Sequence, residues 1–210
     1  MILILDFGSQ YTQLIARRIR ELNVYSEVLP FSTSNKIIRE KSAKGIILSG
    51  GPSSVKDKNA PTLDKKVFDL GIPILGICYG MQLIADQFGG NVQPSSTREY
   101  GAATLEINDP SKLFHDIPKQ INIWMSHSDS VGKVPSGFKG LGCTSSCKIA
   151  AFEHTEKSIY GIQFHPEVSH TDYGKDIIQN FIKNICKVEN NWTSDAFIEH
   201  SINRIKEQVG

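Results

Sequence analysis

The chain has 210 residues, 40% of them hydrophobic and 21% charged, with a formal net charge of +1. That balance fits one soluble domain, or one domain with a short appendage, large enough to bury about 70% of its unfolded surface without staples. A near-neutral charge gives no sign of nucleic acid or an anionic membrane as partner. No apolar run approaches the ~20 residues of a membrane span.

Residues 2–5, Ile-Leu-Ile-Leu, are continuously apolar, as expected for a strand covered on both faces. No basic segment precedes them and Asp6 follows at once, so they read as a first core strand and not as a secretory leader. A turn at Asp6-Phe7-Gly8-Ser9 leads to a helix over 10–22, where Leu14, Ile15, Ile19 and Leu22 recur at helical spacing. Strands are expected over 24–29 and 45–48, with a short helix over 34–41 between them. The third strand ends at Ser49-Gly50-Gly51-Pro52. A helix over 60–70 and a fourth strand over 72–75 complete an alternation that predicts a mostly parallel sheet with helices on both faces.

After Gly89-Gly90 the texture changes. Short strand-like pieces over 91–107, 121–125, 150–154 and 158–164 suggest an antiparallel extension of the sheet, followed by a helix over 172–186. Asn190-Asn191 reads as a linker, and Thr193-Ser194-Asp195 can cap a final helix carrying Phe197, Ile198, Ile202 and Ile205. The four cysteines, Cys78, Cys143, Cys147 and Cys186, are expected to be free thiols of a reducing, cytoplasmic compartment. Cys143 and Cys147 have no second ligand pair nearby, so no metal site is expected.

The chemistry centres on Gly76-Ile77-Cys78-Tyr79-Gly80, a cysteine between two glycines where a strand turns into a helix. Such a turn can hold a nucleophile exposed, with the helix N-terminus favouring the thiolate; a buried, inert thiol is the other reading. Gly50-Gly51 lies at another strand end. It can serve as a phosphate cradle, as an oxyanion donor together with the Tyr79 amide, or as a plain turn. No P-loop lysine follows, which weakens the first option. A thiolate needs a base and the base an orienter. His165 and Glu167 in Gln163-Phe164-His165-Pro166-Glu167 can supply both. His127, in the polar run Ser126 to Ser130, is the rival base, and that run suits a substrate-contact loop. His115, His154, His170 and His200 read as surface residues.

Gly76 to Gln82 together with His165-Pro166-Glu167 resembles the triad signature of class I glutamine amidotransferases, a family with a flavodoxin-like three-layer core. The opening Ile4 to Tyr11, Leu48 to Val55 and Trp124 to Asp129 resemble the GMP synthase branch of that family, over essentially residues 1–187. The resemblance implies Cys78 as nucleophile, His165 as base and Glu167 as its orienter. It implies Gly51 and Tyr79 as oxyanion donors, and Gly50, Gly51, Gln82, Ser128 and Asp129 as contacts for L-glutamine. It further implies that residues 1–188 are the amidotransferase domain, with no cofactor of its own. Residues 189–210 would then lead into an ATP-pyrophosphatase (synthetase) domain that uses ATP and Mg2+. Other amidotransferase branches, a hydrolase of γ-glutamyl conjugates, a nucleotide-binding protein and a non-catalytic module of the same fold are the alternatives.

Overall fold

The computed structural model describes residues 1–190 together with Trp192, Thr193, Ile198, Ile202 and Lys206, with the side chains of residues 96–98 outside that set. The strands are β1 (Ile2–Asp6), β2 (Ser26–Pro30), β3 (Gly45–Leu48), β4 (Ile74–Ile77), β5 (Asn91–Ile107), β6 (Gln120–Lys133), β7 (Phe138–Cys143), β8 (Ala151–His154) and β9 (Ile159–Ile162). They form one sheet in the order β2-β1-β3-β4-β9-β8-β7-β5-β6. The first five strands of that order are parallel, and the remainder are antiparallel.

Alternation within the parallel strands builds two cores. Ile2, Ile4, Ile47, Leu75 and Ile77 face one side; Leu3, Leu5, Ile46, Leu48 and Ile74 face the other. Each such side chain adds about 1.5–3 kcal/mol by leaving water, so the apolar strands select a sheet covered on both faces. Helices α1 (Thr12–Arg20) and α4 (Gly174–Asn180) cover the first side through Ile15, Ile19, Ile177 and Ile178. Helices α2 (Asn35–Glu40) and α3 (Tyr79–Gln87) cover the second through Ile38, Met81 and Ile84.

The expected helix over 60–70 shrinks to a 3-10 turn, Lys65–Asp69. Pro61 has no N–H to give a helix and its carbonyl accepts the Tyr79 hydroxyl at 2.5 Å, so the segment stays extended until Asp64 caps the turn. The helix expected over 172–186 begins at Gly174 and passes into a π-helical turn, Phe181–Ile185. An added Cβ at Gly174 would lie 2.0 Å from Pro166 O, so this helix starts flush against the His-Pro-Glu loop. The strand expected over 121–125 runs on to Lys133, which makes the Ser126–Ser130 run part of a hairpin and not a loop. His154 is half-buried between Phe88 and Phe138, with Nδ1 accepting two backbone amides, so it organises a turn and is not a free surface residue. His115 and His170 are exposed; His200 lies outside the described residues. Of the expected terminal helix, Ile198, Ile202 and Lys206 are helical, and Phe197 and Ile205 lie outside the described residues. No helix among the described residues is long and apolar enough to cross a membrane.

Candidate active site

Cys78 stands where β4 becomes α3, with φ 52° and ψ −106°, a conformation L-residues rarely adopt. Close packing enforces it. A Cβ on Gly80 would come within 2.4 Å of Leu48 O, and one on Gly76 within 2.5 Å of the Gly80 backbone. Backbone bonds from Cys78 N to Ile162 O (2.8 Å) and from Gly80 N to Ser49 O (3.1 Å) pin the turn to both neighbouring strands. Tyr79 opens α3 directly after Cys78, so the positive end of the helix dipole lies at the sulfur's own turn.

His165 follows β9 and is 3% exposed, and Glu167 behind it is fully buried. His165 Nδ1 meets Glu167 Oε1 at 2.8 Å, which leaves Nε2 for Cys78. Burial alone would push the imidazole pKa down. Hydrogen bonds to Cys78 and Glu167 outweigh it and raise the value to about 10, so the imidazole is held in its protonated form. Three bonds fix the loop: His165 N donates to Trp124 O (3.1 Å), Trp124 N to Thr171 Oγ1 (3.0 Å), and Thr171 Oγ1 to His165 O (2.6 Å). Arg18 Nε adds a bond to Glu167 O at 2.9 Å.

These groups open on a cavity of about 480 Å³. Cys78, His165, Gly51, Gln82, Ser128 and Asp129 line it, so the structure brings together residues up to 114 positions apart in the chain. Gly50 sits behind the wall, where an added Cβ would lie 3.3 Å from His165 Cε1. Tyr79 is likewise behind it, its ring packed on Phe7. An added Cβ on Gly51 would lie 2.7 Å from Phe7 O and 3.4 Å from the Tyr79 ring, which keeps this position small.

His127 also lines the cavity, with one nitrogen hydrogen-bonded and the other set close to a carboxylate. Nδ1 donates to Asp129 O at 2.9 Å, and Nε2 meets Glu99 Oε2 at 2.9 Å, a contact that needs one shared proton. Burial lowers the His127 pKa against the opposing pull of Glu99. The ligand-type atoms of Glu99, His127 and Cys147 lie within 4.8 Å of one another. Cys147 Sγ donates to Ile149 O at 3.4 Å, and burial holds its pKa up to about 12, so this thiol is protonated and hydrogen-bonded. All four cysteines are free.

Tyr11, Tyr100, Ser126, Glu99 and Gln163 are site residues that sequence reasoning did not single out. Tyr11 sets its ring edge against His165 at 5.1 Å. Glu99 is identifiable only through strand register, which pairs it with His127. A polar residue just after the apolar strand 159–162 was the available signal for Gln163.

A strained cysteine, an ion-paired histidine, a buried carboxylate and nearby main-chain donors form a set suited to acyl transfer through a thioester. Residues 3–185 match the family model described as "Glutamine amidotransferase class-I". The "GMP synthase [glutamine-hydrolyzing]" of Brachyspira hyodysenteriae is 55% identical over 209 residues, covering 100% of this chain and 41% of that protein. The protein of the same name from Acetivibrio thermocellus is 53% identical with the same coverage. The chain thus spans about two fifths of the length of these relatives. A solved GMP synthase subunit of Thermoplasma acidophilum is 32% identical at a TM-score of 0.81, covering 89% of this chain and 93% of that one. A glutamine amidotransferase of Thermotoga maritima shares the fold at a TM-score of 0.67 and 20% identity, covering 87% and 80%.

Proposed function

The chain belongs to the class I glutamine amidotransferase family, and on that premise we propose that its cavity hydrolyses the side-chain amide of L-glutamine to glutamate and ammonia. The observation that carries this is the strained Cys78 sharing one pocket with the His165–Glu167 pair. Cys78 attacks the carboxamide carbon as the thiolate, and the carbonyl oxygen takes the charge between the amides of Gly51 and Tyr79. One such donor is typically worth about 3 kcal/mol of barrier. His165 gives its proton to the nitrogen, the C–N bond breaks, and ammonia leaves a glutamyl thioester. His165 then takes a proton from water, which opens the thioester to glutamate and returns the thiolate. Glu167 keeps the imidazole in the tautomer that faces Cys78. Gln82, Ser128 and Asp129, with Gly50 and Gly51 at the loop, hold the α-amino and α-carboxylate groups of the substrate.

We further propose that the ammonia serves a synthetase (ATP-pyrophosphatase) partner that converts XMP to GMP with ATP and Mg2+, in the cytoplasm. The names and greater length of the relatives support this reading. On this view residues 1–188 are the amidotransferase domain and 189–210 lead towards the partner. Turnover by the isolated chain is then weak and rises when the synthetase and its nucleotide are added; full turnover without them would refute the coupling. The test of the chemistry is Cys78→Ala, which abolishes glutamine hydrolysis while leaving the circular dichroism spectrum unchanged. Wild-type turnover in that variant would end the assignment.

A further inference from the structure

Gln163 is fully buried, and the reaction just described does not use it. Its neighbours Ile162 and Phe164 are apolar and equally buried, so its partners must come from the site. The side-chain oxygen accepts from Gln82 Nε2 at 3.3 Å, and the side-chain nitrogen donates to Cys78 Sγ at 3.7 Å. An amide can rotate to exchange its two ends, so this orientation needs a cause. The cause is a backbone carbonyl. Asp129 O can only accept, and Gln82 donates its NH2 group to it at 2.7 Å. The same nitrogen then faces Gln163, which must answer with its oxygen. The nitrogen of Gln163 is left pointing at the sulfur. Ser126 O lies 3.5 Å from that sulfur, accepting from the thiol but repelling a thiolate, so a donor on another side has something to offset.

We propose that Gln163 is a further catalytic residue, whose side-chain N–H holds the Cys78 thiolate in its attacking form, in an orientation imposed through Gln82 by the Asp129 carbonyl. This rests on Cys78 being the nucleophile. The donor raises the thiolate fraction and lowers the reactivity of each thiolate, and the two effects do not cancel. A tenfold gain in the fraction nets about threefold in rate, because nucleophilicity follows basicity with a slope near one half. The signature is therefore a shift along the pH axis and not a uniform change.

The test uses the full-length protein with iodoacetamide as probe, following alkylation of the Cys78 peptide by mass spectrometry across pH in wild type, Gln163→Met and Gln163→Glu. In Gln163→Met the midpoint moves up by about one pH unit, the rate at neutral pH falls about threefold, and the high-pH plateau rises. Gln163→Glu keeps the acceptor for Gln82 but sets a carboxylate against the sulfur, so its midpoint moves further. With glutamine at neutral pH, Gln163→Met loses kcat about threefold and Gln163→Glu loses more, and both keep KM within about threefold. Unmoved midpoints in both variants overturn the proposal. So does a uniform loss at every pH with a raised KM, which would make Gln163 a packing support for Gln82. If wild-type Cys78 reacts no faster than Cys143 at neutral pH, the nucleophile reading falls first and the proposal with it.

Discussion

Cys78, Gly51 and His165 leave the carboxyl ends of the parallel strands β4, β3 and β9, whereas Ser128 and Asp129 sit inside the β5–β6 hairpin. The parallel strands are buried on both faces and end in turns where a single added carbon would clash. The hairpin alternates buried and exposed positions and carries register irregularities at Asn91/Val92 and Pro94/Glu99. One half places reacting atoms by leaving the backbone no alternative. The other places its recognition segment by side-chain pairs across strands, of which Glu99–His127 is the buried example. On the proposed function, rate and affinity are built on different supports, and substitutions should separate them.

The strongest way to sharpen that contrast is His165→Asn, which should lower kcat for glutamine by about 10³-fold with KM little changed. Gly80→Ala comes next: with Leu48 O 2.4 Å from the new carbon, we expect about 3 kcal/mol of destabilisation in denaturant unfolding and loss of turnover. Glu99→Gln should act on the other side of the divide. It weakens the hold on His127 and Asp129, raising KM about fivefold while kcat stays within about threefold. A fall in kcat alone for Glu99→Gln would break the comparison. A smaller effect concerns pH. The His165 pKa is raised from 6.5 to about 10 in the folded state, so its contribution to stability is complete below pH 6.5 and fades as pH rises through 10. Melting temperature should therefore fall more between pH 7 and 10 in the wild type than in His165→Asn. Arg17→Ala breaks an exposed pair with Glu21 (2.9 Å) on α1 and should change stability by no more than about 0.5 kcal/mol.

The parallel half was legible in the sequence because its strands are uniformly apolar and its turns demand glycine. The alternation of strands and helices, the turn at Cys78 and the His165–Glu167 loop all follow from local residue types. The hairpin was less legible. Its Ser-rich stretch looks like a loop because serine carries little strand preference, and only pairing with β5 makes it a strand. Strand β7 escaped notice because Gly140 and Gly142 interrupt its pattern. Pro61 defeated the helix expected over 60–70. Gln163 and Glu99 were hidden for a different reason. Each acquires its role from a partner 28 or more positions away, His127 for Glu99 and Gln82 and Cys78 for Gln163.

The bonds joining His165, Trp124 and Thr171 have a mechanical consequence. The Cys78 backbone is bolted to the parallel strands, but the His165 backbone is clamped to the hairpin's own main chain. A load applied to the hairpin, where Tyr100 stands exposed on β5, is carried to the imidazole through main-chain bonds, while the sulfur meets the hairpin only through its own contact with Ser126 O and the Gln163–Gln82–Asp129 side-chain relay. The spacing between the two reacting groups is thus the joint at which an outside body would have leverage.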